Sequence, residues 1–147
     1  MASGVQGSDF MSALLVSSIM TPDVETLFED ETMDLARTIM TLARIRHLPV
    51  VDRAEQLVGL VTHRDLLRTS ATALRQGKSE AQVRVAEIMT RGVRTVSSST
   101  TAFVAGQMLL EHKLGCLPVV DEKRLVGIVT EADFVSLALK HLADTGA

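Results

Sequence analysis

The sequence predicts a mixed α/β (α+β) fold built from two β-α-β-β-α units. Three observations predict it. The chain matches itself at an offset of 69 residues, with Ile19 falling on Ile88, and self-similarity at a fixed spacing marks duplicated structural units. Each copy shows short β-like runs and helical periodicity in the same order. The composition, 46% hydrophobic but only 3% aromatic with no Trp and no Tyr, supplies an aliphatic core. At 147 residues the chain is one ordinary domain or two very small units. Two copies are too few for a solenoid, and each alone has a marginal core, so the copies are expected to pack against one another.

Each element follows in chain order. "SIMTPDVETL" (18–27) falls on "EIMTRGVRTV" (87–96), and "VETL" and "VRTV" read as short strands. Met33, Ala36, Ile39, Met40 and Ala43 keep helical spacing, as do Val104, Met108 and Leu109. Thr32 and Thr101 are candidate caps for these helices, and Gly115 stands where the second should end. "HLPVVD" (47–52) falls on "CLPVVD" (116–121). The next apolar runs, "LVGLV" and "LVGIV", follow after four and three mostly charged residues, which is hairpin spacing. Helices are expected over "HRDLLRTSATAL" and "EADFVSLALKHLA", with the polar stretch 75–84 joining the copies.

Bulk properties exclude several function classes. A formal net charge of −3 leaves no footprint for nucleic acid, and aromatic platforms for single strands are missing. The apolar patch from Met11 to Met20 is broken by serines and too short to span a bilayer. The first ten residues read as a loose tail, with Met11 as a plausible start. A single cysteine, Cys116, allows no internal disulfide, which fits a reducing compartment. The expected location is cytoplasmic.

The motif that carries chemistry is written twice. "GLVTHRD" (59–65) returns as "GIVTEAD" (127–133), each where a strand should turn into a helix. One reading of Thr62-x-x-Asp65 and Thr130-x-x-Asp133 is a capping box, which explains the spacing without a ligand. The other uses the same geometry for binding. A helix N-terminus favours an anionic group, a Thr hydroxyl donates to a phosphate or ribose oxygen, and a carboxylate accepts from a ribose diol.

Taken together, "IMT", "HLPVVD" or "CLPVVD", and "GLVTHRD" or "GIVTEAD", in order and twice, resemble the cystathionine-β-synthase (CBS) domain. The resemblance runs from about Val16 to Leu139 and implies domains at 16–70 and 85–141, a linker at 71–84, and tails at 1–15 and 142–147. It implies two repeats related by pseudo-two-fold symmetry, clefts for AMP, ADP, ATP or S-adenosylmethionine, and a homodimer. By the same resemblance Asp65 and Asp133 would hold the ribose, with Thr62 and Thr130 on ribose or phosphate. Arg64 would point at the phosphate, where the second copy has Ala132. Arg46 and His47, or Gly115 and Cys116, would face the cleft; Leu60 and Ile128 would flank the base. Thr21 and Thr90 would line a cleft, and the sequence leaves open which. Arg91 replaces Pro22 of the first copy and is the one nearby cation for the second site, unless it belongs to the other.

The two changed letters make the sites unequal. The first gathers Arg46, His47 and Arg64, and guanidinium groups bind phosphate bidentately; the second has Glu131 and Ala132. A metal at His47 and Cys116 needs two further ligands that no spacing supplies, and no nucleophile–base–acid set or Gly-rich phosphate loop is present. The expected protein is therefore no enzyme and requires no cofactor. It is a regulatory module for an adenine nucleotide, with Mg²⁺ as an optional companion of the phosphates, signalling to an unknown partner. The alternative is a dimerisation or interaction module with vestigial sites.

Overall fold

The computed structural model describes residues 13–146; the proposed tail at 1–10 lies outside the described residues. The elements are α1 (Val16–Ile19), β1 (Thr21–Pro22), β2 (Leu27–Phe28), α2 (Met33–Ala43), β3 (His47–Val51), β4 (Leu57–Thr62), α3 (His63–Arg75), a 3₁₀ turn (Glu80–Gln82), α4 (Val85–Ile88), α5 (Ala102–His112), β5 (Cys116–Asp121), β6 (Arg124–Thr130) and α6 (Glu131–Asp144). The β-α-β-β-α order is thus present twice, although the runs expected as first strands are shorter than predicted. "VETL" contributes only Leu27 to β2, and "VRTV" is reduced to a single parallel bridge from Val96 to Val119.

The chain divides into two compact units. The first holds residues 24–93 with the short turn 122–125; the second holds the segment ending at residue 23, residues 94–121, and the chain from 126 onward. In the first unit β2-β3-β4 form a sheet, β2 parallel and β4 antiparallel to β3. Met33, Met40, Leu48, Val50, Val61 and Leu66 pack on it in an aliphatic core, closed by Val85 and Ile88. In the second unit the sheet order is β1-β6-β5, with Val16, Leu117, Val119 and Val129 in the core.

Each unit therefore carries the "IMT" segment of the other repeat. Thr21 and Pro22 pair with Ile128 and Gly127 of β6, and Thr90 exchanges backbone hydrogen bonds with Leu60 at 3.0 and 2.9 Å. The motif glycines permit this crossing. A Cβ on Gly59 would lie 2.6 Å from Met89 Sδ, and one on Gly127 would lie 2.7 Å from Met20 Sδ and 2.9 Å from the Thr21 carbonyl oxygen.

Local details depart from expectation at three places. Gly115 does not end the second long helix: α5 stops at His112, and Lys113 takes the left-handed position (φ 52°), as Arg44 does after α2 (φ 57°). Thr101 caps α5 through a hydrogen bond from Val104 N–H (3.2 Å), but Thr32 does not cap α2. Its hydroxyl instead donates to Asp34, whose carboxylate already accepts from Leu35 N–H at 3.0 Å. The second hairpin is tighter than the spacing suggested, because Arg124 joins β6 and leaves only Glu122 and Lys123, both at positive φ, in the turn. That is the two-residue turn whose twist suits a hairpin.

Candidate functional site

The first candidate site is built on the junction of β4 and α3. Thr62 is the N-cap in extended conformation, and its hydroxyl accepts from Asp65 N–H at 3.1 Å. Asp65 Oδ2 accepts in return from Thr62 N–H at 2.8 Å and from its hydroxyl at 3.0 Å. This is a complete capping box. The other oxygen, Oδ1, accepts from Arg68 Nη2 at 2.8 Å. Asp65 is 5% exposed, the one buried charged residue among those described, and both of its oxygens are engaged.

Around it the structure gathers most of the residues expected there. His47 lies directly across from Thr62 in the β3–β4 ladder. Leu60, two residues before Thr62, is buried and bridged to Thr90. Thr90 thus pairs with the strand of the first motif, and Thr21, through Ile128, with the strand of the second. Arg64 is exposed on the first turn of α3, with no hydrogen bond or ion pair among the described residues. Arg91 forms an ion pair with Glu29 at 3.7 Å within this first unit.

The second site repeats the plan with one arm free. Asp133 Oδ2 accepts from Thr130 N–H at 2.7 Å, and the hydroxyl of Thr130 is farther, at 3.4 Å. The place of Arg68 is taken by Ser136, and Asp133 Oδ1 accepts no hydrogen bond among the described residues. Asp133 is half-buried, Ala132 and Thr21 are exposed, and Ile128 and Cys116 are buried. Burial pushes the Cys116 thiol up to about 12. It therefore stays protonated near neutrality, unlike the thiolate that attacks or binds a metal. Among the described residues no group of three or more His, Cys, Asp or Glu is placed to hold a metal ion, and no helix is long and apolar enough to cross a membrane.

Arg46 is tied to the first site through its backbone. Its carbonyl accepts from His63 N–H at 2.8 Å, tying the start of β3 to the start of α3. With Arg37, Arg44 and His63 it lines a cavity of about 360 Å³ between α2 and α3. Sequence reasoning passed over Arg37, Arg44 and Arg68. The available signals were spacings along the chain: the seven-residue step from Arg37 on α2 to Arg44, which ends it, and the i,i+3 step from Asp65 to Arg68.

Comparison with known proteins places this geometry in context. The sequence profile of the CBS domain matches residues 16–72 and 85–140. A CBS domain-containing protein of Dictyostelium discoideum is 32% identical over 136 residues, spanning 88% of this chain and 94% of its own length. The homoserine O-acetyltransferase of Methanococcus vannielii is 31% identical over 119 residues, 81% of this chain but only 23% of the enzyme. The chain thus spans about a quarter of the length of the acetyltransferases it matches. Among solved structures, AcuB of Vibrio cholerae superposes with a TM-score of 0.85 at 32% identity, covering 92% of this chain and 98% of its own. The CBS domain pair of protein MJ0100, in complex with 5′-methylthioadenosine and S-adenosyl-L-methionine, gives 0.75 at 32% identity over 87% and 98%. CBSX2 in complex with AMP, a protein of Arabidopsis thaliana, gives 0.76 at 32% identity over 86% and 97%.

Proposed function

The chain belongs to the CBS-domain family, and on that premise we propose that it is a regulatory module that binds an adenosine-containing ligand and signals its presence to another protein. The observation that carries this reading is the doubled Thr-x-x-Asp junction, each beside a strand crossing that brings Thr90 or Thr21 to it. Two structural neighbours of similar identity are solved with AMP and with S-adenosylmethionine, which supports an adenosine moiety as the common element. The ligand class is AMP, ADP, ATP or S-adenosylmethionine, with the ribose diol on Asp133 and on Asp65. Phosphate charge would be met at Arg64, on the first turn of α3, where the helix dipole favours an anion. The role is binding rather than catalysis, and the activity of the longer acetyltransferases is not carried over.

A melting-temperature panel tests this, because a ligand that binds only the native state stabilises it by mass action. AMP, ADP, ATP and S-adenosylmethionine, each with and without Mg²⁺, are to be compared on the wild type and on Asp65→Asn/Asp133→Asn. A ligand-dependent rise that the double variant loses supports the proposal. A flat panel favours the second reading, an interaction module with vestigial sites. One observation does favour that reading at the first site: Arg68 and Thr62 already occupy the Asp65 carboxylate.

A further inference from the structure

Each strand crossing is seated on a sulfur atom. Met20 closes α1 and Met89 closes α4, each donating its N–H to the first residue of its helix, at 2.9 and 3.0 Å. Their side chains then cover the motif glycines. A Cβ on Gly59 would lie 2.6 Å from Met89 Sδ and 3.1 Å from the Thr90 carbonyl oxygen; one on Gly127 would lie 2.7 Å from Met20 Sδ and 2.9 Å from the Thr21 carbonyl oxygen. Neither sulfur therefore has room for a further atom on its glycine side, and the backbone atom at that place is a hydrogen-bond acceptor.

Both methionines are nevertheless half-buried, so a small oxidant reaches them. Met33 and Met40, in the core of the first unit, are 0% and 4% exposed. Cys116, the one cysteine, is 5% exposed, and a thiol buried in apolar surroundings is inert. The reachable sulfurs at the two crossings are thus thioethers, one in each repeat.

We propose that Met20 and Met89 are a paired oxidation site, at which a peroxide loosens the two crossings. The thioether sulfur attacks one peroxide oxygen with a lone pair. The O–O bond breaks, an S–O bond forms, and the other oxygen leaves as hydroxide, which takes a proton to become water. Sulfur is oxidised and the peroxide is reduced. The sulfoxide formed is polar and chiral where the thioether was apolar. Its oxygen only accepts hydrogen bonds, and the carbonyl oxygen facing it offers no donor. To be hydrated the side chain must turn out to solvent and uncover the glycine. Thr21 and Thr90, the next residues, then lose that support at their pairing with Ile128 and Leu60. Methionine sulfoxide reductases return the thioether at the expense of a dithiol, so the change is reversible. None of this depends on the nucleotide reading.

Hydrogen peroxide applied to the full chain tests the proposal, with peptide mass spectrometry to map the added oxygen and denaturant melts to read stability. Met20 and Met89 should oxidise several-fold faster than Met33 and Met40, and the denaturant midpoint should fall as they do. Met20→Leu combined with Met89→Leu keeps apolar side chains of similar volume, a swap that cores tolerate, and circular dichroism checks its fold. This variant should hold its midpoint under the same peroxide dose, although Met108, also half-buried, remains in it. A methionine sulfoxide reductase with dithiothreitol should restore the midpoint of the oxidised wild type. Equal oxidation of Met20, Met89, Met33 and Met40 overturns the proposal. So does a midpoint that stays put once Met20 and Met89 are oxidised, a double variant that falls as far as the wild type, or a loss that reduction does not recover. The mapping and the wild-type melts need no variant, so they decide the question even if the double variant is unstable.

Discussion

Asp65 and Asp133 hold the same position in the two repeats and face different competition. Asp65 gives one oxygen to the helix cap and the other to Arg68; Asp133 gives one to the cap and keeps the other. A ribose diol arriving at Asp65 must displace or share with Arg68, whose side chain is 65% exposed and so weakly held. Arg68→Ala is therefore expected to tighten adenosine at the first site by a few-fold, as read by calorimetry, while Ser136→Ala leaves the second unchanged. Asp133→Asn removes a charged acceptor, a loss of about 1.5–3 kcal/mol, and should weaken adenosine there by more than about tenfold. Arg64→Ala should weaken ATP more than adenosine, because the lost interaction scales with phosphate charge; equal losses would leave Arg64 a solvated helix residue. The Thr-x-x-Asp spacing was legible because capping fixes both residues within one helical turn. The partner of the second Asp65 oxygen was not, because an i,i+3 arginine on an exposed turn reads equally well as solvated.

Among the elements, the decisive event is the crossing of each "IMT" segment over the motif glycine of the other repeat. The order of strands and helices was legible from periodicity. The crossing was not, because self-alignment shows that Thr21 and Thr90 are equivalent without showing which strand either one pairs with. The glycines make the crossing testable. At Gly127 an added methyl meets a backbone carbonyl at 2.9 Å, whereas at Gly59 the nearest atom is the flexible Met89 Sδ and the carbonyl is at 3.1 Å. Gly127→Ala should thus cost more stability than Gly59→Ala, with costs of about 1–3 kcal/mol for such overpacking; denaturant melts that rank them the other way would contradict the geometry. Elements are also joined by charge. Glu80 accepts from Arg37 and, at 3.1 Å, from the Ser70 hydroxyl, and these bonds hold its carboxyl below its ordinary value of 4.5 while raising the Arg37 guanidinium. Hydrogen bonds from Ser98 to Asp121 act in the same direction. A lowered carboxyl contributes stability above its unfolded value and loses it as pH falls through the folded one. Acid titration of stability should show this loss below about pH 4.5, and Glu80→Gln should flatten part of it. At the end of α2, Arg44 occupies a left-handed conformation that glycine adopts freely. Arg44→Gly should gain about 1 kcal/mol of stability, read as a higher denaturant midpoint; a loss would contradict the left-handed geometry.

On the scale of the whole molecule, the helices carry more apolar surface than either unit covers. Leu42, Leu67 and Leu74 on α2 and α3 are 80%, 60% and 81% exposed; Leu110 and Phe103 on α5 are 82% and 60%, and Leu139 on α6 is 62%. Single exposed leucines need no explanation, but rows of them on paired helices mark an interaction surface. The core was readable as aliphatic from composition, yet this surplus was only implied, since periodicity separates faces of a helix without showing which faces stay uncovered. We propose that a second copy of the chain covers these faces, because both repeats present the same kind of surface and a net charge of −3 opposes self-association only weakly. Burying one leucine contributes about 2 kcal/mol, which is about 30-fold in a dissociation constant. Leu42→Glu with Leu110→Glu removes two such contributions and adds two like charges. Because both side chains already face solvent, the monomer should keep its fold. Light scattering at micromolar concentration should then give a dimer mass for the wild type and half that mass for the variant, with unchanged circular dichroism. A wild type that remains monomeric both with and without AMP would remove the dimer and leave the exposed leucines to a different partner. A variant that stays dimeric would place the contact on other helix faces.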